Sequence, residues 1–335
     1  MLIKSLVLSL TFVLSTLIAF NAKANSTVIT DGIVATIKPI HSLVSAVMAG
    51  TGQATLLVAN EQSPHGFQLK PSQIRQMHQA KIIFYVDDAY ETFLNRSFAT
   101  LPAKVRKVAL ARQSGIRVLT TRKGVNWEAH DHEHNHNDDV NGDSDSDEAS
   151  HHHHDHHGGD DLHVWLAPDN GIKMVKEITR QLSQLYPQNR DIYKANAKNI
   201  VAKIEKLDES LQRQLSAIKA KPFIVFHDAY QYFERAYGLR AVGSITFEPT
   251  DSPSPQRIKA IRAKLQNTGI KCVFREPQFS DRLVNTIIEG ADGVSSGTLD
   301  PVGANLANGS GLYIKLLQNL TSGLNQCLAR ATTGS

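Results

Sequence analysis

Ten histidines and twelve carboxylates stand between residues 128 and 161, with no lysine or arginine among them. Imidazole and carboxylate are the donors a borderline metal such as zinc prefers, so this segment offers dense ligand capacity for Zn2+. It has almost no apolar side chains to bury and is expected to be disordered. Outside it the histidines are His41, His65, His78, His163 and His227. Three of these fall where an open α/β lobe presents ligands, in loops or at the carboxyl ends of strands. His227 follows the apolar run Phe223-Ile224-Val225-Phe226, His65 sits in the turn Ser63-Pro64-His65-Gly66, and His163 opens Val164-Trp165-Leu166 just after the acidic segment. Two acids have comparable positions, Glu276 after Cys272-Val273-Phe274 and Asp300 within Gly297-Thr298-Leu299-Asp300-Pro301. Three imidazoles plus one carboxylate or water close a tetrahedral zinc shell. The same shell with an open position is also that of a secreted zinc-dependent hydrolase. No His-Glu-x-x-His pair falls on an expected helix, where it would supply a general base, and this favours binding over catalysis.

The elements that must position these groups alternate between short apolar runs and helical patterns, as in parallel α/β units. Strands are expected at 33–37, 54–59, 81–86 and 107–111 in the first half, with helices at 41–49, 72–80 and 89–97 between them. In the second half strands are expected at 223–226, 241–245 and 271–274, and helices at 230–237, 255–266, 281–289 and 311–328. Between the halves Tyr193, Ala197, Ile200, Ile204, Leu207, Leu211, Leu215 and Ile218 recur every three or four residues, predicting one long amphipathic helix over 191–219 that Pro222 ends. The expected organisation is a first lobe over 25–187, a linking helix over 188–219 and a second lobe over 220–335. His41 is expected to line the cleft, His78 to lie on a solvated helix face, and Trp165 and Phe226 to wall the ligands.

Residues 1–24 carry Lys4, an apolar run and Ala22-Lys23-Ala24, the form of a cleaved signal peptide. Export to a bacterial periplasm follows, and no cysteine after the cleavage site argues for a lipid anchor or a metal-dependent surface adhesin. In an oxidising compartment the only two cysteines, Cys272 and Cys327, suggest a disulfide, with two buried thiols as the alternative. The net charge of +4 hides a basic body and an acidic segment. Nucleic acid is disfavoured, because the basic residues are scattered and no basic-aromatic stripe is present.

The stretches 63–72 (SPHGFQLKPS), 163–168 (HVWLAP), 225–233 (VFHDAYQYF) and 275–279 (REPQF) closely resemble the zinc-binding component of bacterial high-affinity zinc ABC importers, the ZnuA type. The similarity covers essentially the whole mature chain and includes a His- and acid-rich insertion at the same place. It implies two parallel-sheet α/β lobes joined by one long rigid helix, with the metal in the interlobe cleft. It also implies a monomeric, non-enzymatic binding protein that delivers Zn2+ to an inner-membrane ABC permease and its ATPase. The family's ligand histidines fall on His65, His163 and His227. Manganese importers of the related class usually carry a carboxylate where His227 stands. Some relatives have Glu immediately before the first ligand, where this chain has Pro64. What remains is water or Asp300, whose motif matches the place where family members present a carboxylate, so the resemblance implies Asp300 as fourth ligand, ahead of Glu276, with water as the alternative. The resemblance also supports pairing Cys272 with Cys327.

Overall fold

The computed structural model describes residues 31–59, 62–124, 126–127 and 159–330 of the 335-residue chain. The expected signal peptide and the stretch 128–158 lie outside the described residues. Ten strands appear among them: β1 Ile33–Ala35, β2 Thr55–Leu56, β3 Ile82–Tyr85, β4 Arg106–Ala109, β5 Leu119–Thr120, β6 Asp160–Asp161, β7 Pro222–Val225, β8 Arg240–Ser244, β9 Cys272–Arg275 and β10 Ser295–Thr298. The α-helices are α1 Lys38–Val47, α2 Pro71–Gln79, α3 Asn95–Thr100, α4 Pro168–Leu185, α5 Arg190–Leu215, α6 Gln231–Tyr237, α7 Pro255–Asn267, α8 Arg282–Ile288 and α9 Leu312–Arg330. None of these is long and apolar enough to cross a membrane.

Two four-stranded parallel sheets result, ordered β2-β1-β3-β4 and β10-β9-β7-β8. Period-two alternation sorts their side chains between cores. Ile33, Ala35, Ile82 and Phe84 of the first sheet join Phe223, Val225, Cys272 and Phe274 of the second in one continuous apolar core. The intervening Val34, Ile83 and Tyr85 face a separate outer core, as Ile224 and Val273 do in the other lobe. The lobes are thus the two sides of one packed interior.

Helices α1, α4, α5 and α9 fill that interior and pack on one another. Six apolar side chains of α5, from Tyr193 to Leu215, are buried along one face. The linking helix therefore does not run alone between lobes; it packs against α4, α1 and α9. Asn196 of α5 donates to the carbonyls of Val47 (3.0 Å) and Ala49 (2.8 Å), satisfying acceptors left free where α1 ends. Helix α4, which the sequence expectation omitted, buries Met174, Val175, Ile178 and Leu182 at helical spacing. It comes so close to α9 at Gly171 that a Cβ there would stand 2.2 Å from the Tyr313 hydroxyl. That hydroxyl donates to the Trp165 carbonyl (2.7 Å), and the Trp165 indole N–H donates to the Pro301 carbonyl (2.7 Å).

Residues 159–161 are ordered, although the sequence places them in the acidic segment. Strand β6 pairs antiparallel with β5, and Tyr232 donates its hydroxyl to the Asp161 carbonyl. Cys272 and Cys327 are joined by a disulfide that fastens β9 to α9, with 6.0 Å between their Cα atoms.

Glu91, fully buried behind β3, holds the loop that leads from this strand to the cleft. Its Oε2 accepts from the backbone N–H groups of Val86 (2.7 Å) and Asp87 (3.2 Å), and Oε1 bonds the Thr36 hydroxyl. Burial pushes its carboxyl up to about 8, against the pull of those hydrogen bonds. Between its ordinary value near 4.5 and about 8 the folded chain binds a proton that the unfolded chain has released. This contribution to stability is therefore complete at low pH and is lost as pH rises through 8. Glu91→Gln keeps the shape without the proton. Its melting temperature should gain on that of the native chain between pH 6 and pH 9, by the equivalent of about 1–3 kcal/mol. Parallel melting curves across that range would contradict the assignment.

Candidate metal centre

The carboxyl ends of both parallel sheets converge on one cavity of about 410 Å³. His65 reaches it from the turn after β2, His163 from the residue that begins a short 3-10 turn after β6, and His227 from just beyond β7. Val225 and His227 lie on the inward side of the chain, while Phe226 turns to the outer core and stacks on Phe279 with 4.9 Å between ring centroids. Phe226 therefore does not wall the site. Trp165 does, packed 5.4 Å from the His163 ring, and Tyr90 stands edge-on to His65, His163 and Trp165.

Among the described residues, His65, His163 and His227 form the group whose ligand atoms all lie within 4.8 Å of one another. Each ring meets a carboxylate at Nδ1: Asp161 at 2.9 Å from His163, Glu276 at 2.7 Å from His227 and Glu248 at 3.2 Å from His65. A carboxylate at Nδ1 fixes the ring proton there and leaves Nε2 as a lone-pair donor. The Nε2 atoms of His163 and His227 are 3.3 Å apart, and Nε2 of His65 is buried with no hydrogen-bond partner. Two imidazole lone pairs at that separation repel unless a proton or a cation sits between them. A tetrahedral ion with metal–nitrogen bonds of ~2.0–2.1 Å has ligand–ligand edges of ~3.3–3.4 Å, so the spacing already suits zinc.

Burial, with His65 close by, pushes the His227 imidazole down to about 3, keeping it neutral and able to ligate. The same burial pushes the Glu276 carboxyl up to about 8, although it accepts from the Tyr230 hydroxyl at 3.0 Å. The interior thus resists isolated charge of either sign, a resistance that an entering cation would relieve.

Asp300, the expected fourth ligand, lies outside this group. Its Oδ1 accepts from Gln278 Nε2 (3.1 Å) and the backbone N–H groups of Val302 (3.2 Å) and Gly303 (2.8 Å), so it shapes the turn after β10. Glu276, the other carboxylate considered for ligation, stands behind His227. His41 hydrogen-bonds the Ala54 carbonyl (3.0 Å) and does not line the cavity, and His78 lies near Thr100. Asp161, Glu248 and Tyr90 are the site residues that sequence reasoning missed. Glu248 carried the same signal as Glu276, a carboxylate just past the end of a strand. Asp161 was hidden among the acids of the segment it terminates.

The remaining acids at the mouth are held by arginines. Arg112 binds Asp87 and Asp160, and Arg122 binds Asp228 and Glu234 while its guanidinium lies 3.5 Å over the Trp127 ring.

A family model described as "Zinc-uptake complex component A periplasmic" matches residues 33–327. The high-affinity zinc uptake system protein ZnuA of Brucella suis is 45% identical over 309 residues, covering 90% of this chain and 92% of its own. Among solved structures, the laminin-binding adhesin of Streptococcus agalactiae superposes with a TM-score of 0.70 at 18% identity, covering 89% of this chain and 100% of its own. The binding protein FpvC of Pseudomonas aeruginosa, solved in complex with Mn2+, superposes at 0.71 and 18% identity, covering 89% and 98%. At such identities the likeness establishes the fold, and the choice of metal must come from the side chains.

Replacing Glu276 by Gln should leave the metal-free fold intact within about 1 kcal/mol, because the buried acid is already disposed to be neutral. It should weaken binding of a divalent cation roughly 10–100-fold, the usual effect of removing a carboxylate behind a ligand imidazole. Calorimetric titration beside a melting curve checks both; an unchanged affinity would remove Glu276 from the site.

Proposed function

The chain belongs to the ZnuA family, and from that premise we propose that it captures Zn2+ between its lobes on His65, His163 and His227 and delivers it to the membrane permease of an ABC importer. The observation that carries the ligand set is the convergence of three imidazole Nε2 atoms, each with its Nδ1 against a carboxylate. The family is a solute-binding transport component and not an enzyme. The hydrolase alternative lacks support here too: Glu276, the acid that would act as its base, is turned to Nδ1 of His227 and away from the metal side of the ring.

Water completes the shell in this proposal. Oδ1 of Asp300 is held by two backbone N–H groups and Gln278, and Asp300 is not among the residues that line the cavity, which is open to solvent. An all-imidazole set favours zinc over harder, oxygen-preferring cations, and His227 is the position at which this preference is set. The site of action is the periplasm, and the protein works as a monomer beside a permease and its ATPase. Trp127 and Asp160, described residues on either side of the His- and acid-rich stretch 128–158, line the cavity. The stretch acts there as a low-affinity collector that raises the local zinc concentration.

His65→Ala should abolish the tight phase of a zinc titration while leaving any weak, multi-site phase contributed by residues 128–158. A strain lacking the chain should grow poorly in chelator and recover with added zinc. Retention of the tight phase in His65→Ala, or metal-dependent hydrolysis by the zinc-loaded protein, would contradict the proposal.

A further inference from the structure

Two of the three carboxylates behind the histidines belong to the ligand's own side of the molecule. Asp161 is two residues before His163, and Glu276 follows β9, the strand paired to the β7 strand that carries His227. Both are buried, and both positions are fixed by the fold around them. Glu248 differs in each respect. It comes from the loop after β8 in the second lobe, while His65 belongs to the first, and its side chain is 50% exposed.

The two loops face each other across the mouth at a second point. Gly66, at φ +72°, turns the chain directly after His65, and a Cβ on it would stand 3.2 Å from Cγ2 of Thr250. The loop that carries Glu248 thus lies against the turn that carries His65, with Phe247 at the rim as the one large apolar side chain exposed among the described residues. The other acids at the rim are engaged elsewhere, Asp160 by Arg112 and Asp228 by Arg122, whereas Glu248 engages His65. His65 is also less enclosed than its partners, with its side chain 16% exposed against 9% for His163 and 5% for His227.

We propose that Glu248 is a positioning residue that latches His65 across the cleft, so that the contact between the two loops sets how long the metal is held. The proposal rests on His65 being a ligand. With Glu248 in place, the ring proton of His65 is fixed at Nδ1 and Nε2 is aimed at the other two imidazoles. When the loops part, the ring loses its orientation and the ion keeps two nitrogens. Release then begins at His65, the ligand nearest solvent, while His163 and His227 stay held from behind. Capture can begin on His163 and His227 whether or not the latch is closed, whereas release requires the loops to part, so losing the latch should alter departure more than arrival.

Chelator-driven zinc release from the full-length protein loaded with one equivalent of zinc, measured by stopped flow beside the association rate, tests this. Glu248→Ala should speed release of the tightly bound ion roughly tenfold or more, with association changed less than about threefold and the melting temperature of the metal-free protein unaltered. Glu248→Gln keeps an acceptor oxygen and should fall between Ala and the native chain. Release at the native rate in Glu248→Ala, or a loss of affinity that lies wholly in association, would overturn the latch. Persistence of the tight phase in His65→Ala would instead overturn the ligand assignment beneath it.

Discussion

Three imidazole lone pairs are held facing one another in a space closed on most sides by aromatic rings and backbone. A buried nitrogen without a partner, such as Nε2 of His65, costs about 1–3 kcal/mol, and two facing lone pairs add repulsion. The surroundings prevent the rings from turning away. Asp161, Glu248 and Glu276 fix the far nitrogens, Tyr90 and Trp165 pack the ring faces, and Tyr313 and Pro301 fix Trp165 in turn. Strain of this kind persists only where the fold over-determines it and where something arriving later removes it. A divalent cation does so at once, satisfying all three nitrogens and favouring the anions behind them.

The architecture decides how such a site can load and unload. Two of the three candidate ligands come from the part of the chain before α5 and one from after it, so an ion bound on them would tie the lobes together. Among the described residues the inner faces of both sheets share one core with α1, α4, α5 and α9, so a wide separation of the lobes would expose that core. Wide motion is also unnecessary, because metal sites require ligand distances within about 0.2 Å. Displacing one loop-borne ligand is enough to weaken the shell, and His65 is the one borne on a turn whose lateral support comes from the opposite lobe.

Much of this was legible in the sequence because it rests on local periodicity. The strands around β1, β3, β7 and β9 are continuous apolar runs, and α5 shows its buried face at three- and four-residue spacing. Histidine is scarce outside the acidic segment, so His65, His163 and His227 stood out, and the family motifs around them removed the remaining ambiguity. Helix α4 carries the same helical spacing in Met174, Val175, Ile178 and Leu182, but over fewer positions than the six buried along α5. Strands β5 and β6 were invisible because two residues each make no pattern; they exist because Tyr232 and Gln231 bind their backbone. Phe226 was misplaced although alternation along β7 assigns it to the outer face. Asp300 and Glu248 mark a deeper limit. Both are carboxylates just past strand ends, and only the fold reveals that one is spent on backbone N–H groups while the other crosses to His65.

The fold itself does not choose the metal, since a protein of the same architecture was solved with Mn2+. The choice falls to the donor atoms, and the account stands or falls on their number and kind. Zinc K-edge X-ray absorption of the full chain loaded with one equivalent of Zn2+ reads them directly. The account predicts four light-atom neighbours at about 2.0 Å with the multiple scattering of three imidazoles. A six-coordinate oxygen shell, or an imidazole signal that survives replacement of His65, His163 and His227 together, would contradict it.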